Sequence, residues 1–296
     1  MLQLLIDPQQ SWLFSFDIKS GYHHIDIVES DKEFVGFSWV FEGKVRYFKF
    51  TVLPFGLATG PYIFTKVMRP LVKHWRSQAY RIVVYLDDGL GACPSFTSAL
   101  EQSSSVRADL VSSGFVPSES KCNWFPSQDI KWLGLDWDLR TQLLSIPKLK
   151  IERLLVAIDE ALANERISAR RLATVTGLIM SNVVVFGNVC KFMTKALHRV
   201  IETRTGWNSC VILDSRAVHE LQFCRAEVHN FNYRSLAHKS TVPTRFVYSD
   251  ASNSGCAAFI SLNDCPMFYK NWGEIEMRQS STWRELQCVS YALDSF

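Results

Sequence analysis

The sequence predicts an α+β chain in three segments. Strand and helix signals alternate through residues 1–146. Apolar residues then recur at helical spacing through residues 147–240, and short strands return over residues 243–296. A length of 296 residues suits about two domains. Apolar residues make up 47% and charged residues 21%, the balance of a packed globular protein. Nine Trp and twenty Phe supply core anchors and surfaces on which bases or sugars could stack.

Taken in order, Leu13-Phe14-Ser15-Phe16-Asp17 reads as a strand ending in a carboxylate. Residues 35–41 and 44–50 read as a hairpin turning at Glu42-Gly43. Gly60-Pro61 starts a helix, with proline at its first position. Ile63, Val67 and Leu71 share one face of that helix, widened by Phe64, Met68, Val72 and Trp75, and Pro70 is expected to bend it. Ile82-Val83-Val84-Tyr85-Leu86-Asp87-Asp88-Gly89-Leu90 reads as a strand, an acidic tip and a return strand.

Residues 96–113 form a surface helix with a serine-rich flank, ended by Gly114, and residues 130–137 form a strand and a turn. In the second segment Ile151, Leu154, Leu155, Ile158 and Leu162 follow the helical period, Ser168 is a candidate N-cap, and further helices fit up to His229. In the third, strands are expected over residues 245–250, 255–261 and 267–270, with an Asn263-Asp264 turn, before a helix that begins near Thr282.

Composition excludes several classes. The first residues lack a basic, signal-like start. The most apolar long stretch, residues 172–187, is broken by Thr174, Thr176, Ser181 and Asn182 and falls short of the roughly 20 residues that span a bilayer, so no membrane role is expected. The sequence holds no Asn-x-Ser/Thr site. Eight scattered cysteines without a C-x-x-C pair exclude a typical zinc site and read as the reduced thiols of an intracellular (cytoplasmic or nuclear) protein. Net charge is +3, but residues 147–205 carry ten Lys/Arg against five Asp/Glu. That segment is either a phosphate-binding surface or a solvated helical face.

Asp87 and Asp88 carry the chemistry. Like charges held together at a sheet edge need a compensating cation. A pair of divalent metals would supply one, and two-metal sites perform in-line phosphoryl transfer. The alternative is a bare turn, since Asp-Gly is also a common hairpin signal. Asp17 ends a strand about 70 residues earlier, and two such strands can be neighbours in a small sheet. Its own alternative is to cap the turn at Lys19-Ser20-Gly21.

Five segments then occur in order: Phe14-Ser15-Phe16-Asp17-Ile18-Lys19-Ser20-Gly21-Tyr22; Leu53-Pro54-Phe55-Gly56-Leu57-Ala58-Thr59-Gly60-Pro61; Tyr85-Leu86-Asp87-Asp88; Gly114-Phe115-Val116-Pro117-Ser118-Glu119-Ser120-Lys121; and Trp132-Leu133-Gly134-Leu135. They resemble motifs A to E of the reverse transcriptases of retroelements. The style of the second motif looks most like retrotransposon enzymes, in particular the DIRS type.

The resemblance implies a palm over residues 1–146 with its fingers region largely missing, a helical thumb and connection over 147–240, and the start of a ribonuclease H-like fold over 243–296. It implies an RNA-directed DNA polymerase that uses two magnesium ions, or manganese, with an RNA or DNA template, a primer and deoxynucleoside triphosphates. Asp17, Asp87 and Asp88 match the metal-binding carboxylates, Asp88 as the supporting neighbour. Tyr22 matches the ring that rejects a sugar 2′-hydroxyl. Phe55 and Gly56 match the loop beside the incoming nucleotide, and Lys121 a candidate proton donor to pyrophosphate. Trp132, Leu133 and Gly134 match the grip on the primer end. His23 and His24, read as strand residues pointing to opposite faces, are taken as scaffold. Lys44 and Arg46 are not expected to replace the missing triphosphate-gripping residues of the fingers.

Asp250 and Glu285 match the first two carboxylates of a ribonuclease H. The third is expected beyond residue 296, Asp294 being a poor substitute, and Glu285 also fits a capping box with Thr282. The competing readings are a catalytically inactive fragment that binds nucleic acid and a metabolic phosphotransferase. Salt-sensitive hybrid binding is expected through Lys148, Lys150, Arg170, Arg171 and Lys195.

Overall fold

The computed structural model describes residues 11–164, 166–236, 246–261 and 267–296. The chain divides into two compact units, Met1–His238 and Lys239–Phe296. The expected palm and helical segments both lie in the first.

The strands β1 (Trp12–Asp17), β2 (Gly36–Phe41) and β3 (Lys44–Lys49) precede helix α1 (Gly60–Ser77). Then come β4 (Arg81–Tyr85), β5 (Asp88–Cys93), α2 (Phe96–Ser112), β6 (Asn123–Ser127), β7 (Asp129–Trp132), β8 (Leu135–Asp138) and β9 (Leu143–Ser145). One four-stranded sheet has the order β4-β5-β1-β6, and β1 runs antiparallel to both of its neighbours.

The period of two along β1 sorts its side chains. Phe14, Phe16 and Ile18 enter one core with Phe64, Met68 and Trp75 of α1. Leu13 enters a second core with Leu90 and Ala92 of β5. Ser15 and Asp17 share the face of Leu13. On β5, Gly89 and Gly91 lie under the rings of Phe16 and Phe14. A Cβ at Gly89 would stand 2.1 Å from Phe16 Cζ, and one at Gly91 2.2 Å from Phe14 Cζ. The glycine after the acidic pair is therefore space for an aromatic ring, and the two-residue turn is Leu86–Asp87, not Asp88–Gly89.

Helix α1 runs through Pro70 to Ser77. Its buried residues Phe64, Met68 and Trp75 belong to the expected face, with Leu71 and Val72 packed against the same core, whereas Val67 is exposed. Helix α2 is capped by Ser95, whose side chain accepts from the Ser98 amide. Gly114, at φ +85, ends it as expected. His23 and His24 lie in a 3-10 turn, not a strand. His24 still acts as scaffold: its Nε2 accepts from the Val116 amide at 3.2 Å, and its Nδ1 lies 3.2 Å from the Gly21 carbonyl.

The second core continues into α3 (Lys148–Leu162), β10 (Arg166–Ser168), α4 (Ala169–Ser181), α5 (Val183–Phe186), α6 (Val189–Phe192), α7 (Lys195–Glu202), β11 (Cys210–Ile212), α8 (Ser215–Phe231) and β12 (Arg234–Ser235). Ile151, Leu154 and Ile158 are buried in it together with Trp132 and Trp137. Ser168 caps α4 by accepting from the Arg171 amide. Among the described residues no helix is long and apolar enough to cross a membrane.

The second unit holds β13 (Val247–Ala251), β14 (Gly255–Ile260) and β15 (Met267–Asn271) in one antiparallel sheet, with α9 (Glu274–Met277) and α10 (Ser281–Ser295). Residue 245 and the expected Asn263-Asp264 turn lie outside the described residues. Helix α10 is capped by Ser280, so Thr282 and Glu285 do not form the capping box.

Gly91→Ala is expected to cost about 1–3 kcal/mol, because an added methyl must displace the Phe14 ring from a filled core. Thermal unfolding of the variant checks this; unchanged stability would mean that the ring can slide aside.

Candidate functional site

The ladder between β1 and β5 ends with Asp17 directly opposite Asp88. Residues paired across antiparallel strands point to the same side, so the two carboxylates face one cleft. The Ile18 amide donates to the Asp87 carbonyl at 3.0 Å and ties the strand end to the turn. Leu86 sits at φ +54 in that turn, a left-handed conformation that costs a leucine energy and is concentrated at functional sites.

Asp17 is buried, and both its oxygens accept from Lys121 Nζ, at 3.3 and 3.2 Å. That contact keeps the Lys121 ammonium above its usual pKa. The Asp17 amide is held by Cys122 Sγ at 3.4 Å. Burial pushes the Asp88 carboxyl up, Asp87 and Asp17 add to the shift by repulsion, and Lys121 opposes it. The site thus stores uncompensated negative charge that one lysine only partly neutralises.

Asp87 lies on the other side of the turn. Its Cβ is 3.4 Å from where a Cβ on Gly21 would stand, and its charge helps burial to raise the Tyr22 phenol. Tyr22 is half-buried and stacks on exposed Phe55, with ring centroids 5.1 Å apart, while His23 meets the edge of the same ring. Gly56 is at φ +87, and a Cβ added there would have no neighbour within 4 Å, so its backbone is open to approach. The fold brings Tyr22, Phe55, Asp87, Asp17, Asp88 and Lys121 into one neighbourhood.

Trp132, Leu133 and Gly134 belong to the β7–β8 hairpin, whose turn residues have φ of +48 at Leu133 and +71 at Gly134. All three line an open cleft of about 510 Å³ with Asp17, Asp88 and Lys121. Two lysines complete this wall: Lys131, which sequence reasoning missed, and Lys150, which it placed only on the nucleic-acid-binding surface.

In the second unit Asp250 stands near the end of β13 and Glu285 in the first turns of α10, both exposed. The Cys288 thiol reaches the Asp250 carbonyl at 3.3 Å, so α10 packs beside that strand, but no contact joins the two carboxylates. Among the described residues no group of three or more His, Cys, Asp or Glu is assembled around a metal position.

Residues 3–137 match the sequence model of the family described as reverse transcriptase (RNA-dependent DNA polymerase). The chain is 35% identical over 80 residues to a putative enzymatic polyprotein of Cassava vein mosaic virus, covering 27% of this chain and 11% of that one. It is 31% identical over 140 residues to the genome polyprotein of Petunia vein clearing virus, covering 46% and 6%. It is also 31% identical over 121 residues to a retrovirus-related Pol polyprotein from the Drosophila melanogaster transposon gypsy, covering 40% and 11%. The chain therefore spans about a tenth or less of these relatives.

Among solved structures, the fold resembles a foamy viral protease-reverse transcriptase in complex with double-stranded DNA (TM-score 0.62, 18% identity, 97% of this chain, 48% of that chain). A second structure of the foamy viral enzyme, in complex with an RNA/DNA hybrid, agrees equally well (TM-score 0.62, 17% identity, 97% and 37%). Residues 3–137, just under half of the chain, are thus similar to reverse transcriptases, and the relatives that share this stretch are viral and gypsy-type polyproteins.

Asp88 yields a pH signature. Its folded pKa lies above the ordinary 3.8, so the folded chain keeps a proton that the unfolded chain has lost, and this stabilisation fades as pH rises through that window. Asp88→Asn is expected to flatten this part of the stability–pH curve and to leave the melting temperature at neutral pH equal or higher. A variant clearly less stable than wild type at neutral pH contradicts it.

Proposed function

We propose that the chain is an RNA-directed DNA polymerase of a retroelement, joining a deoxynucleotide to a primer 3′-hydroxyl. The observation that carries this reading is the cross-strand pair of Asp17 and Asp88 beside Asp87, with an aromatic pocket on one side and an open cleft walled by a hairpin on the other. In the reaction the primer oxygen forms a bond to the α-phosphorus while the bond to pyrophosphate breaks.

The donor set suits hard divalent cations: carboxylate oxygens, with substrate phosphates to complete the shell. The Lys121 ammonium already sits on Asp17, so this carboxylate attracts a cation, and magnesium or manganese is the cofactor that this donor chemistry suits. Asp17, Asp87 and Asp88 would hold them, and bound metal would activate the primer hydroxyl and neutralise the triphosphate. Tyr22, backed by Phe55, would meet the sugar edge of the incoming nucleotide and exclude a 2′-hydroxyl, with Gly56 letting backbone approach. Lys121 stays protonated and would deliver its proton to the departing pyrophosphate. Trp132, Leu133 and Gly134 would hold the primer end across the cleft.

The basic helical segment would take the template–primer backbone, but with fewer free cations than the sequence suggests. Lys148 pairs with Glu152 at 3.7 Å, and Arg171 pairs with Glu160. Arg170 is bonded to Asn208, and Lys195 lies over the Phe192 ring. In the second unit, Asp250 and Glu285 would serve a ribonuclease H-like centre. The style of the motif around Phe55 supports a DIRS-type element. The alternative, a fragment that binds nucleic acid without chemistry, draws on the bond between Lys121 and Asp17, which occupies a carboxylate the reaction needs.

Primer extension on homopolymer RNA with magnesium tests the reading. Wild type is expected to extend, and Asp87→Asn to lose at least about a hundredfold, the scale of several kcal/mol of lost electrostatic stabilisation. Tight hybrid binding without extension in either protein would favour the inactive fragment. Hybrid affinity is expected to fall with salt, with a slope shallower by about 1 when a single phosphate-contacting lysine is removed. A salt-independent binding constant contradicts the template–primer surface.

A further inference from the structure

The wall of the cleft opposite the carboxylates is built from two parts of the chain. One is the β7–β8 turn at Leu133 and Gly134. The other is the first turn of α3, which brings Lys150 to the same place. Lys150 Nζ donates to the Gly134 carbonyl at 2.8 Å. The ammonium sits directly over the turn, for a Cβ on Gly134 would stand 2.3 Å from it. The φ of +71 favours glycine at position 134, and a side chain there would have to push the end of Lys150 off the turn.

The tie is supported from below. Ile151 and Leu154, next along α3, are buried in the core that holds Trp132 and Trp137 of the hairpin. The helix and the hairpin therefore share a packed base, and Lys150 closes them at the rim. Among the described residues Lys150 forms no salt bridge, so two of its three donors are left for the cleft. Asp136, paired with Lys131 across the hairpin, lies close enough for both lysines to favour its charged form against burial.

We propose that Lys150 is a positioning residue for the primer terminus. By holding the Gly134 carbonyl it fixes the Leu133–Gly134 turn against α3, and so sets the distance between the bound 3′ end and the Asp17–Asp88 pair. This rests on the polymerase reading above. Its chemistry is positional: loss of the tie leaves the strand bound but lets its end wander, and a misplacement of about 1 Å can cost on the order of a hundredfold in rate. A lysine that only contacted phosphate would instead act on affinity and salt dependence.

The test compares wild type, Lys150→Met, Lys150→Gln and Lys150→Arg, each in the full chain. One arm measures kcat for primer extension together with the Kd for the template–primer. The other uses a duplex with 2-aminopurine at the primer 3′ end, without nucleotide or added metal, where brightening reports an unstacked terminus. For Met and Gln the expected result is a loss of about tenfold or more in kcat at unchanged Kd, with brighter 2-aminopurine in the bound duplex. Arg, which can still reach the carbonyl, restores both.

A proportional loss of affinity with no change in fluorescence overturns the proposal, as does wild-type behaviour of the Met and Gln variants. Failure of the wild type to extend any primer counts against the polymerase reading alone. The fluorescence comparison still decides the role of Lys150.

Discussion

The placement of Asp17 opposite Asp88 is the constraint on which the rest of the first unit depends. Two carboxylates facing each other across an antiparallel ladder repel, and such pairs are ordinarily avoided. Here the pair is held by what surrounds it. Phe14 and Phe16 press on two glycines of β5, which locks the register; a slip of one residue would turn Asp17 into the aromatic core. Lys121 and the thiol of Cys122 then hold Asp17 from its other side.

The same alternation divides labour across the sheet. One face of β1 is aromatic and anchors α1, and the other is polar at Ser15 and Asp17 and opens onto the cleft. Asp87 and Asp88, adjacent in sequence, consequently look to different neighbours. Asp88 faces Asp17 and the β7–β8 hairpin, whereas Asp87 lies by Gly21 and Tyr22. The aromatic pair Tyr22–Phe55 and the cleft walled by the β7–β8 hairpin thus meet at a single two-residue turn, whose strained Leu86 marks the cost of that geometry.

Much of this is legible in the chain. The strand ending in Asp17, the acidic hairpin, the helix begun by Gly60 and Pro61, and the N-cap at Ser168 follow from local rules that operate over a few residues. Sequence reasoning goes astray where local rules compete. Asp88-Gly89 has the form of a turn, yet Gly89 is needed inside β5 to clear the Phe16 ring. Thr282 and Glu285 spell a capping box, yet Ser280 takes the cap ahead of them. Glu220 gives no signal as a buried group, yet its carboxylate receives the Ala196 and Leu197 amides at the start of α7, at 2.8 and 3.0 Å.

The sequence by itself determined the α+β class, because periodicity and turn chemistry act through near neighbours, while the resemblance carried by its five ordered motifs pointed to most of the residues gathered at the cleft. Only the tertiary structure decided that Asp17 meets Asp88, that Lys121 bridges to Asp17 from 104 residues away, and that Lys150 arrives over Gly134 from a helix. Those pairings depend on strand register and on how a buried helix face seats against a hairpin. Both are set by the packing of the whole core, which no short stretch of residues specifies.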